Sequence, residues 1–118
     1  MKHFKTLISF LVILLCSCQP QIKFDKVKWQ TTDDPAFPPE CRNSMLKDLL
    51  SNYNISKMNY SQVINLLGKP NINDTDSIAY FIITDYGRHI DPVYIKTLDI
   101  GFNKEHFVKT IRVSEWKK

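Results

Sequence analysis

A chain of 118 residues, with 43% hydrophobic and 24% charged side chains, has room for one small domain. Its formal charge of +4 comes without a Lys/Arg cluster, which argues against a nucleic-acid interface. Its three cysteines and three histidines fall at no recognised metal-ligand spacing.

The first segment is an export signal by its layout. Lys2 and Lys5 form a short positive region, and Leu7 to Leu15 is nearly all apolar. A membrane-spanning helix needs roughly 20 apolar residues, so this run is too short to remain as a span. It closes on Leu15-Cys16-Ser17-Cys18, which resembles the lipobox of bacterial lipoproteins. That resemblance implies removal of residues 1–17 and a lipid on Cys18, and hence attachment to a membrane. A soluble secreted protein with an ordinary thiol at Cys18 is the plainer alternative. Gln19, rather than Asp, follows the cysteine; in such lipoproteins this implies the outer membrane, facing the periplasm. Lys2 and Lys5 would leave with the signal, which halves the net charge. Cys41 would then be the only unmodified cysteine, with no internal disulfide partner: either a buried small apolar group, the simpler reading, or a spare thiol for an intermolecular bond.

Residues 18–40 read as an extended tether, because Pro20, Pro35, Pro38, Pro39 and the polar run Gln30 to Asp34 offer little core material. Trp29 and Phe37 stand out in it, either as local packing over the domain edge or as a docking strip for a partner. The folded domain is expected over 41–118. A helix is predicted over 42–53, with Met45, Leu46, Leu49, Leu50 and Tyr53 on its inner face. A second follows, capped by Asn59 with Gln62 three residues on, stapled by Met58 and buried through Val63, Ile64, Leu66 and Leu67. Gly68 suits a positive-φ helix end, and Pro70 blocks continuation.

Three strands are predicted next: 77–84, dense in apolar residues; 93–102, alternating with Leu98, Ile100 and Phe102 inward; and 106–114. In the last, Phe107, Ile111 and Val113 are expected inward and Val108, Thr110 and Arg112 outward. The expected fold is α+β: two N-terminal helices packed on one face of a three-stranded antiparallel meander. Thr97, Asp99, Val108, Thr110 and Arg112 would form its outer face, the candidate partner surface.

Met58-Asn59-Tyr60-Ser61-Gln62-Val63, leading into Leu66-Leu67-Gly68-Lys69-Pro70, is followed by the ladder Leu98-Asp99-Ile100-Gly101-Phe102. Together with the lipobox, this order over 42–113 resembles the outer-membrane assembly lipoproteins called SmpA/OmlA, or BamE-like. The same layout is also similar to the β-lactamase inhibitor protein repeat. The first resemblance implies a non-enzymatic protein that faces the periplasm, uses no cofactor and binds an envelope protein. A lipidated immunity protein that neutralises a toxin or enzyme is the alternative function. The loop from Asp85 to Pro92 departs from the family pattern, so no partner contact is carried over there.

The remaining polar motifs are weaker. Asp85, His89 and Asp91 could be read as metal ligands, but a solvated hairpin loop turning at Gly87 is the simpler reading. Asp76-Ser77-Ile78 resembles a short bacterial O-glycosylation acceptor, against the plainer reading of a bare serine opening a strand. No phosphate loop, serine-nucleophile signature or triad appears.

Overall fold

The computed structural model describes residues 21–31 and 37–118. The signal segment, Cys18 and residues 32–36 lie outside the described residues. The elements in chain order are α1 (Lys26–Gln30), α2 (Cys41–Asn52), a 3-10 turn (Ile55–Lys57), α3 (Tyr60–Leu67), β1 (Ile72–Asn73), β2 (Ser77–Asp85), β3 (Tyr94–Phe102) and β4 (Val108–Lys117). The strands form one antiparallel sheet in the order β1-β2-β3-β4. The α+β class holds, with one helix and one strand more than the sequence predicted.

The extra helix overturns the tether reading of residues 21–31. Asp25 caps α1 by accepting hydrogen bonds from the Val27 and Lys28 backbone N–H groups. One turn of helix then delivers Trp29 into the core, where it is fully buried. Upstream, the Ile22 N–H donates to the Ser44 carbonyl (3.1 Å) and the Phe24 N–H to Asp48 Oδ2 (2.8 Å). Phe24 packs edge-on against Tyr53 at 5.0 Å between ring centroids. Average polarity hid two aromatics and a cap, and these suffice to dock the segment. Burial also removes Trp29 from any docking strip. Phe37 stays 45% exposed and meets the Tyr86 ring.

In α2, Met45, Leu46 and Leu49 are buried as the helical spacing requires, whereas Leu50 is turned toward solvent. Asn59 and Gln62 form the expected reciprocal capping box at α3, with both bonds at 2.9 Å. Val63 and Leu67 are fully buried; Ile64 and Leu66 are half-buried. Gly68 ends the helix at φ 78°, and its carbonyl accepts a 2.7 Å bond from the Tyr80 hydroxyl. This bond ties the helix end to the sheet.

Ile78, Tyr80 and Ile82 of β2 and Leu98, Ile100 and Phe102 of β3 face the helices. Two register shifts modify the simple alternation. One lies between Phe81 and Ile83 in β2, the other where Gly101 and Phe102 meet β4. The second corrects the expected phase of β4. Thr110 stands opposite Gly101, but Val108 stands opposite Phe102, leaving Lys109 as the extra residue. Val108 is therefore half-buried against the core, not on the outer face. Phe107 was expected inward; it precedes the strand, bridges Asn59 and is 47% exposed. Val113 points to the helix side opposite Leu98, yet remains 38% exposed at the uncovered sheet edge.

One polar residue sits inside this core. Arg42 is 6% exposed, and its guanidinium lies 5.0 Å from the Trp29 ring centroid and 6.0 Å from that of Tyr80. Nε donates to the Trp29 carbonyl (2.9 Å), and Nη1 donates to the Phe81 carbonyl (2.8 Å) and to Asn71 Oδ1 (3.2 Å). Burial lowers its pKa to about 10, so the group stays cationic at neutral pH.

Arg42→Ala removes a donor from three acceptors and opens a cavity between two rings. Denaturant unfolding should show a loss of about 3 kcal/mol; a loss under about 1 kcal/mol would deny the clamp its role. Asp48 yields a separate, pH-dependent outcome. Its carboxylate is held below the usual pKa, first by the Phe24 N–H and then by Asn52. A depressed carboxylate pKa stabilises the fold above the unfolded value of about 3.9 and loses that contribution as pH falls below it. Asp48→Asn should flatten this acid limb in a melting-temperature profile and leave the shape near neutrality unchanged.

Candidate functional site: the outer face of the sheet

The helices and the core occupy one side of the sheet. Strand alternation turns Thr97, Asp99 and Gly101 of β3 to the other side. Their β4 partners there are Ser114, Arg112 and Thr110, in that order. Four of the five predicted surface residues, Thr97, Asp99, Thr110 and Arg112, are thus brought together, and Val108 is not.

Asp99 organises this face. Its Oδ1 accepts from Thr97 Oγ1 at 2.8 Å and its Oδ2 from Ser114 Oγ at 2.6 Å. Arg112 Nη2 lies 3.9 Å from Oδ2, with its side chain 78% exposed against 30% for Asp99. The hydroxyls fix the carboxylate, while most of the arginine side chain lies in solvent. Beside it, a Cβ at Gly101 would lie 2.5 Å from Thr110 Oγ1, so a side chain there would push the threonine hydroxyl aside. Glycine thereby lets the Thr110 side chain lie across β3.

The sequence reading missed three contributors. Ser114 continues the alternation of Thr110 and Arg112 and could have been found from it. Ala79 and Ile72 extend the row Ile72–Ala79–Asp99–Arg112 across all four strands. Ile72 was missed because β1 is too short to show a period. Together with Asp74 and Ser77, the row from Ile72 to Arg112 lines a shallow groove of about 600 Å³. Its wall carries Ile72 and Asp74 at one end and Asp99 and Arg112 toward the other.

The other polar motifs assemble differently. Asp85 Oδ1 accepts from the Gly87 N–H at 2.8 Å, and Gly87 turns the chain at φ 58°. Asp85, His89 and Asp91 do not converge; among the described residues no group of three His, Cys, Asp or Glu side chains could hold a metal. Cys41 is half-buried and free, and its Sγ lies 3.4 Å from the Lys28 carbonyl. Ser77 opens β2 opposite Gly101. Among the described residues no helix is long and apolar enough to cross a membrane.

The exposed pair and the fixed carboxylate should separate on mutation. Arg112→Ala should change stability by less than about 0.5 kcal/mol, because an exposed ion pair contributes little. Asp99→Ala should cost about 1–2 kcal/mol by stripping the acceptor from two hydroxyls. Thermal melts of both variants check this; equal losses would mean that Arg112 is structural and a poor binding probe.

Comparison with protein-family descriptions, curated proteins and solved structures finds no match to this chain.

Proposed function

We propose that the chain is a lipid-anchored, periplasm-facing envelope protein that works as a non-enzymatic protein-interaction module. In this reading Cys18 carries the lipid, and the partner is an envelope protein held on the outer sheet face around Asp99 and Arg112. A role in outer-membrane assembly or maintenance belongs to the same proposal and rests on the resemblance of the 58–70 motif. The observation that carries the binding reading is the Asp99–Arg112 arrangement. A carboxylate held by two hydroxyls presents fixed charge, and an arginine 78% exposed beside it can reach a partner at small cost to the fold.

The docked N-terminal arm sharpens the geometry. A lipid on Cys18 would lie close to Ile22, whose N–H is bonded to the Ser44 carbonyl. The stretch between them can span at most about 14 Å. The anchor would therefore act as a short leash, keeping the domain near the bilayer, rather than as a long tether.

Cross-linked capture from native membranes with the tagged full chain tests the proposal. The paired change Thr97→Arg and Arg112→Glu should reduce recovery of a specific envelope protein roughly tenfold or more, since reversed charge at a contact repels its partner. Cys18→Ala should move the protein out of the membrane fraction. Unchanged capture would remove the face from the proposal. Specific recovery of a secreted toxin would replace the assembly role with immunity.

A further inference from the structure

β4 is a sheet edge for most of its length. β3 takes one side of it. On the other side the Val108 N–H donates to the Met58 carbonyl (2.9 Å) and Phe107 bridges Asn59, so among the described residues only the start of the strand is capped. The Lys118 N–H donates to the Val93 carbonyl at 3.0 Å, one step beyond the Tyr94–Lys117 pair. Antiparallel pairs alternate between those that exchange both hydrogen bonds and those that exchange none. Residues 110, 112, 114 and 116 therefore bond to β3. Ile111, Val113, Glu115 and Lys117 turn their N–H and C=O groups to the open edge. No register shift interrupts this stretch, and Val113 and Trp116 are 38% and 50% exposed along it.

We propose that β4 pairs antiparallel with β4 of a second copy of this chain, about a two-fold axis at Ser114. The free stretch from 111 to 117 has its midpoint there. Charge selects the same axis. An axis at Arg112 would set that residue against itself, and one at Val113 would set Lys109 against Lys117. About Ser114, Ile111 faces Lys117, Val113 faces Glu115 and Arg112 faces Trp116, with no like charges directly opposed. The Arg112–Trp116 pairs fall at non-hydrogen-bonded positions, where side chains approach most closely. A guanidinium over an indole face is favourable, and the stems of Lys117 and Glu115 cover Ile111 and Val113. About eight backbone hydrogen bonds would close the joint. An interface of this kind falls below about 1,200 Å² in total, which makes a concentration-dependent dimer the expected form. The inference uses the edge and does not rest on the partner-face reading; Arg112 and Ser114 are common to both.

Disulfide trapping of the full chain in detergent tests it. In a background with Cys16, Cys18 and Cys41 replaced by Ser, Ser114→Cys places two thiols across the axis, at Cα separations near 4.5 Å that a disulfide can bridge. Mild oxidation should give a covalent dimer, while Thr110→Cys, far from the axis, should give little. Val113→Pro removes an edge-facing N–H without touching the β3 ladder, and Trp116→Lys opposes Arg112 of the second copy with like charge. Each should cut trapping roughly tenfold, with circular dichroism reporting that the fold is kept. Failure of Ser114→Cys to cross-link overturns the proposal. So does equal trapping at Thr110→Cys, or trapping that neither Val113→Pro nor Trp116→Lys reduces.

Discussion

The buried Arg42 guanidinium is the constraint on which the rest of the structure depends. It comes from the second residue of α2, yet its hydrogen bonds reach the end of α1, the Asn71 side chain before β1 and the Phe81 carbonyl in β2. The Trp29 and Tyr80 rings lie against it. Asn71 is shared in turn, because its Oδ1 also accepts from the Phe81 N–H at 2.8 Å. No carboxylate pairs with Arg42 among the described residues, so the charge is held by carbonyl dipoles and ring faces alone. Such a group is costly to bury, and here Nε and Nη1 meet that cost with three hydrogen bonds. The arm, α2 and the bulged strand must therefore assemble together around it.

Local rules carried far in this sequence, and non-local ones did not. The α3 cap was legible because Asn59 and Gln62 satisfy each other three residues apart, and β3 because Leu98, Ile100 and Phe102 alternate without interruption. α1 was hidden: Asp25 and Trp29 lie among prolines and polar residues, and the signal that docks them is Arg42, distant in sequence and charged, a residue type expected outside. The phase of β4 was misread because an inserted residue leaves no hydrophobic mark. Gly101, which sits at the shift, was the available sign, since a glycine inside a strand often marks a bulge or a close approach.

These features together define what the domain can offer. The helices and the docked arm cover one sheet face, and the other carries a fixed carboxylate beside an exposed arginine. The β2 bulge turns Ile82 and Ile83 toward the helices, and Lys96 bonds Asn43 at 2.8 Å, which ties the start of α2 to β3. The binding proposed for this face would need little reorganisation, as a preformed surface does. The N-terminal arm belongs to the same rigid unit. This turns the proposed lipid anchor from a remote attachment into one that also limits how the face is oriented at the membrane.

Native-state hydrogen exchange on the full chain tests that unity most directly. The Trp29 amide, bonded to the Asp25 carbonyl, and the Tyr80 amide within the sheet should open with the same free energy, because the arm and the sheet close around one buried cation. Arg42→Met should lower both together. Exchange of Trp29 far faster than that of Tyr80, or a loss confined to the arm in the variant, would show that the segment is an appended tether after all and would contradict the account.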